Sequence, residues 1–384
     1  MSDEVEEYER SSWLSPSSWI KWVPTSMGFL REAEQRILQY FDDRMHKEYV
    51  YIQDKSKRLW TVKMNTDSEN TPLVMIHGFG SGVGLWALNY DDLSQKRPLY
   101  AFDVLGFGRS SRPSFPTDPH LSEMEFVNSI EDWRKEMKLD KFILLGHSFG
   151  GYIATAYAIQ HPENIKHLVL CDPWGFPERP HESGRQSSLP IWIKAIATLM
   201  KPFNLLAGLR AAGPWGPNLV AKFRPDLKRK FSHLFEDDTI FSYIYHCNAQ
   251  TPSGETAFKN LSFAFGWAKN PMIKRINDLH SDVPVTFVNG SKSWLDKDIG
   301  HQIKYLRNDS YVEVQMIKGA GHHVYADRYQ DFNDTVNEIC DSVDNVGIDG
   351  ANGQSNSEID SDSAPVFDIY TNEEVSRSQA DSNL

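Results

Sequence analysis

The sequence predicts an α/β fold: a mostly parallel central sheet with a helical lid inserted between two of its later strands. Three observations carry this. Runs of consecutive apolar residues at 73–76, 99–102 and 142–145 end in loops containing HGFG, DVLGFG and GHSFGG. Strands that are apolar on both faces belong to sheets covered on both sides by helices. The strand–helix rhythm breaks between 176 and 280 and resumes with strands at 284–288 and 312–317. A segment of that length between two strands is expected to lie over the strand ends.

The elements follow in order. Residues 1–10, MSDEVEEYER, are acidic, unlike the basic start of a secretory or transit signal. Trp13, Trp19 and Trp22 come next. Indole rings are amphipathic and favour lipid–water boundaries, so this stretch is read as a lipid anchor or as rings packed under a domain edge. Residues 29–40 have a helical period with Leu30, Ala33, Ile37 and Leu38 on one side. A helix is expected over 123–138, another after Ser148, and a strand over 166–171. Within the lid, about 176–280, the stretch 189–213 carries Lys194, Lys201 and Arg210 and no acid, and Pro202 divides it. Amphipathic helices against acyl chains or a bilayer fit this pattern, as do lid helices packed on the core. A closing helix is expected over 327–343. Residues 345–384, rich in Gly, Asn, Ser and Asp, read as a disordered acidic tail. The organisation is therefore an N-terminal segment 1–45, a domain over 46–344 and the tail.

Charge and composition exclude several function classes. The formal charge of -12 is uneven, because residues 341–384 hold ten acids and one base. The rest is nearly balanced, with no basic footprint for nucleic acid. No run approaches the roughly 18 apolar residues of a spanning helix. Cys171, Cys247 and Cys340 are too few for a disulfide scaffold and too scattered for a structural zinc site, which favours a reducing compartment.

The sharpest motif is Gly146-His147-Ser148-Phe149-Gly150, a G-x-S-x-G between an apolar strand and a helical run. Its glycines let strand and helix approach around a strained turn that pushes the serine hydroxyl out over the sheet edge. In α/β-hydrolases the nucleophile is followed by the acid and then the histidine. His322, in GAGHH after the last strand, is the expected base. Its neighbour His323 is read as orienting it or binding lipid headgroups. Two carboxylates compete for the acid. Asp296 follows the strand before the histidine strand, the commoner arrangement, and is preferred. Asp172 ends the preceding strand and is the alternative, since a residue before Pro173 also suits a turn cap. Asp298 is a third option. Backbone N–H groups of Phe79, in HGFG, and Phe149 are the expected oxyanion donors, and His77 is expected to brace its loop. A buried link between Asp103 and Arg109 is expected to hold the DVLGFGRS loop. Gly106 and Gly108 do not make a dinucleotide fingerprint; no cofactor and no metal are expected.

Landmarks along the chain carry a more specific resemblance: WVPTS, TPLVMIHGFG, LWALN, YAFDVLGFGRSSRP, DPWGFPERP, LKRKFSHLFEDDTI, YIYHCNAQTPSGETAFKN and GAGHHVYAD. From about Trp13 to Asp344 the sequence resembles the subfamily of α/β-hydrolase domain-containing proteins 4 and 5, which includes the lipid-droplet coactivator of adipose triglyceride lipase. The resemblance implies an α/β-hydrolase fold, with Asp296 as acid and His322 as base. Members with Asn at the nucleophile activate a lipase without hydrolysing lipid. Members with Ser are similar to lysophospholipases and to enzymes deacylating N-acyl phosphatidylethanolamine. Ser148 implies the second kind, whereas YIYHCNAQTPSGETAFKN is closer to the first. His322 and Asp327 form an H-x4-D pattern associated with lysophosphatidic acid acyltransferase activity. The Trp-rich stretch resembles the droplet anchor of coactivator-like members. The implied partners are a lipid substrate, a membrane or lipid-droplet surface, and a lipase or droplet-coat protein. The implied location is cytoplasmic and peripheral to those surfaces.

Overall fold

The computed structural model describes residues 25–179, 206–235, 237–263 and 266–352. Trp13, Trp19 and Trp22, residues 189–205 of the basic lid stretch, and the tail beyond 352 lie outside them. Compactness divides the chain after Asn345, with residues 346–384 as a separate unit.

Eight strands form one sheet: β1 (Met45–Ile52), β2 (Lys57–Met64), β3 (Leu73–Ile76), β4 (Leu99–Phe102), β5 (Phe142–His147), β6 (Ile165–Cys171), β7 (Val285–Gly290) and β8 (Val312–Ile317). Their spatial order is β1-β2-β4-β3-β5-β6-β7-β8. The six strands expected from sequence are all present. The β1–β2 hairpin was not anticipated. It pairs antiparallel within itself and onto β4, and its charged, partly exposed positions lack the continuous apolar signal of the others. From β4 to β8 the pairing is parallel.

Alternate strand residues feed two cores. Leu73, Met75, Ile143 and Leu145 face one, shared with Leu30 and Ile37 of helix α1 (Met27–Leu38) and Phe332 and Val336 of helix α8 (Tyr329–Asn352). Val74, Ile76, Phe142 and Leu144 face the other, shared with helices α2 (Pro119–Glu136) and α3 (Phe149–Gln160). This double burial is why those strands read as unbroken apolar runs. The closing helix runs to Asn352, past the expected start of the tail. Two acids counted with that tail belong to the fold, since Asp341 and Asp344 both bind the buried guanidinium of Arg97 at 2.6 Å.

The lid lies between β6 and β7. Its longer described helices are α4 (Gly216–Phe223), α5 (Thr239–Ala249) and α6 (Gly254–Leu261); between β7 and β8 comes α7 (Ile299–Leu306). Hydrogen bonds hold the lid to loops at the carboxyl ends of the strands. Asn248 donates to Gly80 O at 2.7 Å, Gly254 N–H donates to Gly106 O at 3.0 Å, and Tyr243 accepts from Gly84 N–H at 2.9 Å. The polar residues of YIYHCNAQTPSGETAFKN thus fasten lid to core. Among the described residues, no helix is long and apolar enough to cross a membrane.

Candidate active site

Every residue of the site leaves the carboxyl end of a strand. The order β4-β3-β5 places the first crossover reversal between β3 and β5, where α/β sheets open a crevice. Ile76 pairs with Gly146, so the loops HGFG and GHSFG lie side by side. This close approach explains two glycines. A Cβ on Gly150 would sit 2.4 Å from Ile76 O, and one on Gly78 would sit 3.1 Å from Ser148 Cβ.

Ser148 sits at the turn into α3 with φ 54° and ψ -119°. Such a conformation for a residue with a Cβ costs on the order of 1–3 kcal/mol and persists only where the surroundings impose it. Here Ser148 N–H donates to Cys171 O and Ser148 O accepts from Trp174 N–H, both at 3.0 Å. Ser148 Oγ lies 3.0 Å from His322 Nε2. His322 Nδ1 lies 2.5 Å from Asp172 Oδ2. A carboxylate only accepts, so Nδ1 carries the proton and Nε2 is left to receive that of Ser148.

The structure puts Asp172, not Asp296, against His322. Asp172 is buried, and its N–H extends the β6–β7 ladder to Val288 O at 3.0 Å. Asp296 is exposed and accepts from Asp298 N–H at 2.9 Å, a bond within its own loop. The reason is register. Strands β6 and β7 are adjacent and parallel, with Cys171, the last residue of β6, opposite Val288, so β7 runs two residues further along the histidine loop. The residue immediately after β6 reaches the imidazole. The chain after β7 turns at Gly290 and Ser293 (N–O 2.9 Å) and carries Asp296 to the surface. A turn role for Asp172 is also visible in its φ of 44°, and it coexists with the contact to the base.

His147 and His77 are supports. Buried His147 donates from Nε2 to His322 O at 2.9 Å, and burial with the neighbouring His322 holds its pKa well below the usual range. His77 donates from Nδ1 to Gly78 O at 2.8 Å and accepts at Nε2 from Val104 N–H at 2.9 Å, bracing the glycine loop. The His323 ring lies 5.4 Å from that of His322 and is kept neutral chiefly by burial, with Arg224 next. Asp327 is turned away from the base. Its Oδ2 accepts from Gly321 N–H at 2.9 Å, and its Oδ1 pairs with Lys230 of the lid at 3.1 Å.

Asp103 accepts from the backbone N–H groups of Val83 (2.8 Å) and Arg109 (2.7 Å). The Arg109 guanidinium goes elsewhere, to Glu34 of α1 at 2.8 Å and over the Trp60 ring at 3.5 Å. The expected Asp–Arg link is thus a backbone one. The sequence signal missed was Glu34, an acid on the apolar face of α1. Phe258 of α6 lies 4.5 Å from the Phe79 ring, 5.0 Å from Phe149 and 4.7 Å from Trp174, so a buried aromatic cluster joins this lid helix to the loops on either side of Ser148.

The α/β hydrolase fold family matches residues 71–329. The chain belongs to the α/β-hydrolase family. It is 54% identical over 345 residues to the human (Lyso)-N-acylphosphatidylethanolamine lipase, covering 90% of this chain and 100% of that one. It is 52% identical over 343 residues to human 1-acylglycerol-3-phosphate O-acyltransferase ABHD5, covering 89% and 98%. These matches place it in the subfamily of α/β-hydrolase domain-containing proteins 4 and 5. Among solved structures, a bacterial membrane phospholipase A superposes with a TM-score of 0.57 at 19% identity, covering 83% of this chain and 91% of that one. Naproxen esterase from Bacillus subtilis gives 0.55 at 16% identity, covering 81% and 96%. At those identities the likeness is one of fold.

Proposed function

We infer that this α/β-hydrolase is a serine hydrolase that deacylates a phospholipid or lysophospholipid, with N-acyl phosphatidylethanolamine as the leading substrate. The observation that carries the reading is the line Ser148 Oγ–His322 Nε2 (3.0 Å) and His322 Nδ1–Asp172 Oδ2 (2.5 Å). In this reading His322 takes the Ser148 proton as Oγ attacks the acyl carbonyl, and Asp172 holds the tautomer and the imidazolium that forms. The N–H of Phe149, at the unpaired start of α3, and that of Phe79 receive the oxyanion. His322 protonates the leaving group, then activates water to release the fatty acid. The named activity of the human lipase relative supports the substrate class. The protein would act at a membrane or droplet surface from the cytoplasmic side.

The test is lipid mass spectrometry of products from N-acyl phosphatidylethanolamine and lysophospholipid vesicles. Ser148→Ala is expected to lower fatty-acid release by about 10^4-fold or more. Equal release by native and variant protein would overturn the assignment.

Acyl transfer through the H-x4-D pair has less support, because Asp327 is engaged by Gly321 and Lys230 rather than by His322. Asp327→Asn keeps an acceptor oxygen for Gly321. It is expected to leave deacylation within about tenfold of native, against roughly 10^4-fold for loss of a carboxylate on the base. A larger loss would give Asp327 a place in the chemistry. A coactivator role is tested by whether stimulation of a triglyceride lipase survives Ser148→Ala.

A further inference from the structure

The loop after β7 was the expected source of the acid, and it supplies something else. Every residue from Gly290 to Trp294 touches the acid or the histidine loop. Gly290 N–H donates to Asp172 Oδ1 at 3.3 Å, and a Cβ there would lie 2.3 Å from Gly321 O. Ser291 N–H donates to Ile317 O at 3.1 Å, while its Oγ accepts from Gly319 N–H at 2.8 Å. Lys292 N–H donates to Ala320 O at 2.8 Å. Ser293 Oγ donates to Asp172 Oδ2 at 2.5 Å, the same oxygen that faces His322. Its direction is set locally, because Ser293 Oγ accepts from Leu295 N–H at 3.1 Å, leaving the hydroxyl proton for the carboxylate. The Trp294 ring, 44% exposed, lies 5.3 Å from the His322 ring.

We propose that Ser293 and Trp294 are positioning residues for the Asp172–His322 pair, acting on its charge in opposite senses. The Ser293 hydroxyl shares the carboxylate's negative charge and so reduces what the imidazolium feels. The Trp294 ring, tilted 57° to the imidazole, sets its π-electrons beside the imidazolium and stabilises it where it borders solvent. This rests on the hydrolase reading above. The other groups around the pair stay the same in the variants below: His147 and His323 beside the imidazole, Cys171 beside Asp172, Arg224 and Lys230 from the lid toward His323, and Asp327 on Gly321.

The test is the rate at which a fluorophosphonate labels Ser148 in the full chain, measured from pH 4 to 9. This readout needs no lipid substrate. Ser293→Ala leaves the carboxylate charge unshared, so the imidazolium holds its proton to higher pH. The acid limb is expected to move up by about 0.5–1 pH unit, the scale of one charge-assisted hydrogen bond. Ser293→Thr keeps the hydroxyl and is expected to restore the native limb. Trp294→Ala is expected to move it down by about half a unit, with Trp294→Phe between. Limbs that coincide in all variants, or shift alike with Ser293→Ala and Trp294→Ala, overturn the proposal. Labelling that persists in Ser148→Ala would instead remove the hydrolase reading beneath it.

Discussion

Asp172→Asn is expected to lower kcat/KM for phospholipid deacylation by about 10^4-fold, while Asp296→Asn stays within about twofold of native. An amide at residue 172 can face Nδ1 with its NH2 group. Nδ1 then becomes an acceptor and the ring proton moves to Nε2, where it confronts Ser148 Oγ instead of receiving its hydrogen. Asn fills the same space, and its oxygen, in the place of Oδ1, can still meet the Gly290 donor, so the fold is preserved. Asp296 bonds only within its loop at the surface. Steady-state kinetics on N-acyl phosphatidylethanolamine, with circular dichroism to check folding, decides between the two acids. A loss confined to Asp296→Asn would return the acid to the loop after β7.

The largest expected effect on stability belongs to Arg109. Its guanidinium meets Glu34 at 2.8 Å and lies over Trp60, and Glu34 is buried. Arg109→Met leaves an uncompensated carboxyl in the core close to Asp103, and a loss of about 3–5 kcal/mol is expected in urea unfolding. Pairing it with Glu34→Gln should recover much of that loss, because the buried carboxyl then leaves together with its partner. The pH dependence has a definite sign. Burial first and Asp103 next push the Glu34 carboxyl up to about 8, against the pull of Arg109. The folded chain therefore holds this proton longer than the unfolded one. Its contribution to stability is full below the ordinary value of 4.5 and is lost as pH rises toward 8. Without Arg109 the carboxyl rises further, so the deficit of Arg109→Met should grow as pH rises through about 8. A deficit that is flat or shrinks with pH would show that Glu34 is not the group left stranded.

Much of this molecule was legible before folding was considered. The β3 and β4 boundaries follow from apolar runs alone, because strands buried on both faces leave no polar interruption. Ser148 was legible because a strained strand-to-helix turn tolerates few residues around it, and Gly146 and Gly150 are spaced for that turn. The N-terminal hairpin was less legible: β1 and β2 carry charges on both faces, with Glu48, Lys57 and Lys63 on one and Lys47 and Arg58 on the other, so neither an unbroken apolar run nor a clean alternation appears. Glu34 was hidden because a helical period marks the buried face without saying that a cation waits there. In the lid stretch that carries the coactivator-like resemblance, Tyr243, Asn248 and Gly254 fasten the lid to the core, a role that the sequence did not disclose.

The sequence by itself determined the fold class and singled out Ser148 and His322, which the structure brings to 3.0 Å, because local periodicity and tight-turn chemistry are written in neighbouring residues. Only the tertiary structure decided which carboxylate meets His322. Asp172 and Asp296 both follow strands that end beside the histidine loop, and their separation from His322 along the chain says nothing of that. The β6–β7 register and the turn at Gly290 bring Asp172 to the imidazole and send Asp296 outward, leaving Ser293 where the acid was expected.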